Sequence, residues 1–128
     1  MADLEKLTIN LGPVDLGKIE LLVSQGFYPN RAEFIRVAIH DQLGKHTDVM
    51  REATARHAMT VGAVIYGRAS LEAHRKAGTR LSLRVIGLLV ISDDVPPSLA
   101  QETISSITVH GVFKANDSLK KALADRIT

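Results

Sequence analysis

The feature that most constrains this chain is one short alternating segment, Lys6-Leu7-Thr8-Ile9-Asn10-Leu11, followed by two helical patterns. Alternation at period two places Leu7, Ile9 and Leu11 on one face of a strand and Lys6, Thr8 and Asn10 on the other. Gly12-Pro13 ends it. From Val14 to Ser24, Leu16, Ile19, Leu22 and Val23 recur at three- and four-residue intervals, which predicts an amphipathic helix stopped by Gly26. Asn30-Arg31-Ala32-Glu33 reads as a capping box, in which Asn30 accepts from the Glu33 amide and Glu33 reaches back to the Asn30 amide. A second helix follows, with Phe34, Ile35, Ala38, Ile39 and Leu43 on one stripe, ending near Gly44.

A strand and two helices do not make a finished domain. A lone strand leaves the N–H and C=O groups of both edges unpaired, and about forty residues seldom bury enough apolar surface to fold alone. A second chain has to complete the unit. The simplest completion is a two-fold dimer in which the two Lys6-to-Leu11 strands pair antiparallel over four helices. Lys6, Thr8 and Asn10 of each chain then form a polar ribbon that points outward.

This pattern resembles the ribbon-helix-helix DNA-binding family, the class of the Arc and MetJ repressors, over residues 5–46. The resemblance rests on Lys6-Leu7-Thr8-Ile9-Asn10-Leu11 for the ribbon and on the run from Gly26-Phe27-Tyr28-Pro29-Asn30-Arg31 through Ala32-Glu33-Phe34-Ile35-Arg36-Val37-Ala38-Ile39 for the turn and second helix. It implies a two-stranded ribbon in the major groove and a phosphate held at the N-terminus of the second helix. Both implications agree with general physics, since a ribbon fits the groove and helix-terminal amides attract anions. The expected DNA-binding residues are Lys6, Thr8 and Asn10 as base readers and Asn30 and Arg31 as backbone holders. Lys6 suits guanine N7/O6, Asn10 suits adenine, and Thr8 offers a hydroxyl or methyl contact.

The rest of the chain changes character. Residues 47–79 are expected to be helical for much of their length, with a break at Thr60-Val61-Gly62. Beyond them, Arg80 to Ser92 is strand-like, Asp93-Asp94-Val95-Pro96-Pro97 is a turn, Ile104 to Lys114 is strand-like, and Ser118 to Ile127 fits a short helix. A faint repeat of 24 residues aligns Val85-Ile86-Gly87-Leu88-Leu89 with Val109-His110-Gly111-Val112-Phe113. An earlier copy, Val64-Ile65-Tyr66-Gly67, matches Val112-Phe113-Lys114-Ala115 at twice that spacing. Such a period points to stacked strand-plus-helix units. Val85 to Ile91 is apolar on both faces, so it is expected to be buried in the domain or against another subunit.

Charge adds to this division. The formal net charge of +2 conceals a net of −1 over residues 1–46, +3 over residues 47–80 and balance beyond. Arg51, Arg56, Arg68, Arg75, Lys76 and Arg80 therefore offer a phosphate-facing surface in the middle. Asp3 and Glu5 precede the ribbon, so a single dimer of the first segment is expected to bind modestly. Joining dimers through residues 80–128 would raise avidity without a new base contact.

Several chemistries have no footing. Without cysteine there is no thiol nucleophile, thiolate zinc site or disulfide framework. The five histidines show no His-x-His pair, and no nucleophile elbow or phosphate-binding glycine loop occurs. Aromatic residues are only 4%, too few for base-stacking platforms. No secretory signal is expected at Met1 to Leu7, and the longest apolar run, Val85 to Ile91, is far short of the ~20 residues that span a bilayer.

The expectation is therefore an α+β chain. Residues 1–46 form a ribbon-helix-helix domain that dimerises by strand exchange, residues 47–79 a helical linker, and residues 80–128 a small α+β domain for oligomerisation or regulation. Its function is expected to be that of a cytoplasmic, non-enzymatic transcriptional repressor that binds double-stranded DNA, with no cofactor, metal or membrane partner. An antitoxin or plasmid-partition protein, and a DNA-anchored structural polymer, are the alternatives.

Overall fold

The structure is a computed structural model and describes residues 4–128; Asp3 lies outside them. The chain divides into two compact units, one extending to Thr47 and one covering Asp48–Thr128. The architecture is α+β, with six α-helices and one three-stranded sheet among the described residues.

In the first unit, helix α1 spans Pro13–Ser24 and helix α2 spans Arg31–Gly44. Pro13 sits in the first turn of α1, where its missing N–H costs nothing. Gly26, at φ +86°, ends that helix. Its amide donates to the Val23 carbonyl (3.1 Å) and that of Phe27 to the Leu22 carbonyl (3.0 Å), a pair of bonds that closes the helix only around a left-handed residue. Tyr28 then packs edge-on against Phe34, with ring centroids 5.0 Å apart, and fixes how the chain enters α2. Residues 4–12 make no ladder within the chain. Among the described residues up to Thr47, Ile19 alone is a buried hydrophobic, while Leu7 is 81% and Ile9 59% exposed.

Helix α3, Thr47–His57, leads to the second unit's sheet. There strand β1 (Thr60–Tyr66), helix α4 (Arg68–Ala77), strand β2 (Leu81–Ile91), helix α5 (Pro97–Thr103), strand β3 (Ile104–Lys114) and helix α6 (Asp117–Ala122) follow in order, with a short 3-10 turn at Ala124–Arg126. The strands are parallel in the order β1-β2-β3. The expectation of a helical linker over residues 47–79 is corrected here. Residues 47–57 and 68–77 are helical, but residues 60–66 form an edge strand of the same sheet. The run Thr-Val-Gly-Ala-Val-Ile-Tyr is rich in β-branched residues, and pairing with β2 outweighs the helical character of its flanks.

The 24-residue repeat is the pairing register itself. Val85 lies beside Val109, Gly87 beside Gly111 and Leu89 beside Phe113. The earlier copy lies one residue off the expected alignment, because Gly62 pairs with Gly87 and Val64 with Leu89, which puts Val64 in one row with Phe113 and not with Val112. Gly62, Gly87 and Gly111 form a row across the sheet at φ +131°, +132° and +130°. A Cβ on Gly87 would collide with the carbonyl oxygen of Gly62, and one on Gly111 with that of Gly87. Glycine is therefore required twice over at both positions.

Leu71 of α4, Leu99 and Ala100 of α5, and Leu119 of α6 join Leu83, Val85, Leu89, Ile91 and Ile107 of the sheet in one buried cluster. The Thr103 hydroxyl, buried with them, donates to the Leu99 carbonyl at 2.7 Å. The three helices thus cover one face of the sheet. Alternation turns Val61, Ala63 and Ile65, then Ile86, Leu88 and Val90, then His110, Val112 and Lys114 to the other face.

Candidate nucleic-acid interface

Lys6, Thr8 and Asn10 stand two residues apart on the exposed segment that precedes α1. Their neighbours Ile9 and Leu11 face the other way, into a groove of about 380 Å³ lined by Ile19 of α1 and by Phe34, Ile35, Ala38 and Ile39 of α2. The segment therefore has one polar and one apolar side, as its alternation requires, and its apolar side lies along an open groove. Ile9 and Leu11 also share a depression with Leu16, Arg31, Ala32 and Ile35. Arg31 and Ala32 stand at the start of α2.

At that start, the Asn30 side chain accepts from the Glu33 amide at 2.8 Å and caps the helix. The other half of the expected capping box is replaced: the Glu33 carboxylate accepts from Arg36 Nη1 at 3.2 Å. The amides of Arg31 and Ala32 belong to the first turn and have no acceptor within the helix, which leaves them directed at whatever anion approaches. The Arg31 guanidinium, 60% exposed, lies 3.5 Å from Glu20 of α1. An exposed pair of this kind is worth ~0–1 kcal/mol, so it can give way to a phosphate.

The arginines of the central cationic stretch have local partners. Arg51 pairs with Asp48 (3.7 Å), Arg56 with Glu52, Arg68 with Glu72 (3.0 Å) and Arg75 with Glu102 (3.4 Å). Arg80 donates to the Gln101 carbonyl at 3.3 Å. The Arg68 hydrogen bond also holds the Glu72 carboxyl below its ordinary range. Each of these arginines thus has a partner of its own, but the ion pairs are as exposed and as readily displaced as that of Arg31, and Arg80 meets only an uncharged carbonyl, so the stretch keeps its positive excess. The i,i+4 spacing of Glu52 with Arg56 and of Arg68 with Glu72 is a signal that sequence alone carries.

An exposed alternating segment, a capped α2 beside it and an uncovered groove between them define a class of DNA-binding proteins. Residues 2–120 match the model of the ribbon-helix-helix transcriptional regulator family, and the chain belongs to that family. The transcriptional regulator CdrS of Halobacterium salinarum is 33% identical over 45 residues, which is 35% of this chain and 82% of that protein. No solved structure matches the chain. Among the described residues, no helix is long and apolar enough to cross a membrane.

Proposed function

We propose that this regulator is a cytoplasmic, non-enzymatic repressor that binds operator DNA as a strand-exchanged dimer. Two Lys6-to-Leu11 segments pair antiparallel, bury Leu7, Ile9 and Leu11 in the grooves of both chains, and present Lys6, Thr8 and Asn10 to the major groove. Asn30 and Arg31 position the ribbon by holding the phosphate backbone. The observation that carries this reading is the apolar groove of the first unit, closed on one side by Ile9 and Leu11 and bare elsewhere. Residues 80–128 join dimers, so that later contacts become intramolecular and avidity rises ~10²–10⁴-fold. A core shared by these residues with Leu71, Val64 and Tyr66 of the same unit supports a built assembly domain over a tail that orders only on a partner.

The test separates readers from holders. Asn10→Ala is expected to relax sequence preference at one base position per half-site and to cost ~1–3 kcal/mol, while Arg31→Ala weakens all sequences alike and flattens the salt dependence. Binding isotherms on operator and random DNA over a salt series decide it. An Asn10 variant that loses both affinities equally would remove the readout role.

A further inference from the structure

The second unit leaves its parallel sheet covered on one face only. Parallel sheets are built to be buried on both faces, and here the outer face is aliphatic across all three strands. Val61 and Ile65, on the edge strand, are 66% and 67% exposed. Ile86, Leu88, Val90 and Val112 continue the same surface inward, with Leu88 at its centre between Ala63 and Val112. The charged and polar groups, Arg84, His110 and Lys114, stand at its margin on β2 and β3.

We propose that this outer face is the surface that joins copies of the chain: it stacks on the same face of a second copy in a two-fold, helix-sheet-sheet-helix sandwich. The inference rests on the proposed joining of dimers and gives it a location, which includes β1 and so extends outside residues 80–128.

Three arguments select a second copy as the occupant. The first is area. Three strands about 4.8 Å apart and seven residues long present roughly 300 Å² in projection, and side-chain relief brings the pair near the ~1,000 Å² that a specific interface needs. The second is charge. A two-fold axis along the strands lays β1 of each copy over β3 of the other and β2 over β2, so His110 and Lys114 oppose uncharged Val61, Ala63 and Ile65, while Arg84 meets its own copy only at the end of the patch, where each is held by the His57 carbonyl of its own chain at 2.9 Å. Sheets stacked ~10 Å apart at a small angle accept that arrangement. The third is closure. The β3 edge is partly occupied by the chain itself, since Ile127 bridges to Ile107 and the Thr128 amide donates to the Ile107 carbonyl at 2.9 Å. Edge-to-edge growth from β1 to β3 is thereby blocked at that end, whereas stacking by faces closes after two copies.

The test uses the full chain, which has no native cysteine. Leu88→Cys places a unique thiol at the centre of the face, on the middle strand, where an edge contact cannot bring two copies together. A short bis-maleimide is expected to link it to its own copy. Val61→Lys with Ile65→Lys, at positions already exposed, is expected to keep the circular dichroism and melting profile, to abolish that link, and to lower the sedimenting mass from four chains to two. An unaltered tetramer in the lysine variant, with no link at position 88, overturns the face and leaves the joining role to another surface. A wild type that stays dimeric at all concentrations, with no link, overturns both. A position-88 thiol that no maleimide dye reaches in a dimeric protein assigns the cover to another part of the same chain and also overturns the proposal.

Discussion

The two units of this chain bury their apolar residues to opposite extents. Up to Thr47, Ile19 is the buried hydrophobic residue among those described, and Leu7, Ile9, Leu21, Ile39 and Leu43 stay exposed. From Asp48 onward, twelve aliphatic side chains form one cluster held between three helices and a sheet. Ordering a residue costs ~1–2 kcal/mol of backbone entropy, so a unit with one buried side chain cannot offset its own folding, while the second unit has a core of its own. The difference teaches where assembly is a condition of folding and where it is an addition to it.

The sharpest way to break the comparison is to remove the ribbon. Ile9→Pro takes a donor from the proposed strand pair and bars the segment from a ladder. The expected result is complete: loss of the ribbon pair, so that the sedimenting mass falls to the two chains joined by the sheet face, loss of the first unit's thermal transition and loss of DNA binding, with the second unit melting as before. Sedimentation and circular dichroism on the same sample would show it. A first unit that stays folded as a monomer at micromolar concentration would break the argument that it depends on a partner.

Gly87→Ala attacks the other unit alone. The new Cβ meets the Gly62 carbonyl oxygen and the residue is held at φ +132°, so strain and overpacking together should cost about 3–5 kcal/mol. Gly62→Ala, at the same φ but with nothing within 4 Å, should lose only the conformational part, ~1–2 kcal/mol. Urea unfolding of both variants measures the gap between them. Equal losses would show that the close approach of the strands contributes nothing.

How much of this was legible depends on how local the governing physics is. The caps of α1 and α2 were readable because Pro13, Gly26 and Asn30 act through their own backbone or within three residues. Of the groups proposed to contact DNA, Lys6, Thr8 and Asn10 come from alternation, and Asn30 and Arg31 from the capping pattern and the family resemblance. The glycine row was half readable: Gly87 and Gly111 are 24 apart, but Gly62 is 25 before Gly87, and a fixed period misaligned the first copy by one. Strand β1 was hidden because Thr60-Val61-Gly62 looks like a helix break when nothing local reveals its partner, β2, across an intervening helix. Helix α5 was hidden behind Pro96-Pro97, which reads as a turn although Pro97 opens the helix. The arginine pairs were legible in part, since Arg68 and Glu72 are one turn apart, but the pairing of Arg75 with Glu102 requires the fold.

Asn30→Ala should have a moderate effect confined to the first unit. It removes the acceptor of the Glu33 amide, and loss of a helix N-cap costs ~1 kcal/mol. Because this helix end is also the proposed phosphate holder, affinity for random DNA should fall together with the midpoint of the first transition. Titrating both on one preparation checks the coupling. A lowered midpoint with unchanged affinity would confine Asn30 to capping.

The smallest effect is expected in the second unit, at its surface. Arg68 donates to Glu72 at 3.0 Å and holds that carboxyl below its ordinary value, with Arg75 and Lys76 adding to the same direction. A group whose folded value is depressed contributes stability above its unfolded value and loses it as pH falls through the folded one. Acid should therefore erode this contribution below the ordinary carboxylate range and leave it intact at neutral pH. The Glu72 side chain is 39% exposed, however, and water and salt screen the pair, so the contribution is small compared with that of the twelve-residue core beneath it. Glu72→Gln should consequently leave the melting profile at neutral pH within the scatter of replicate scans, and should narrow the slight difference between neutral and acidic scans. A clear drop at neutral pH would mean that α4 depends on its surface pair more than on Leu71, and the contrast between a self-sufficient core and a dependent one would have to be redrawn.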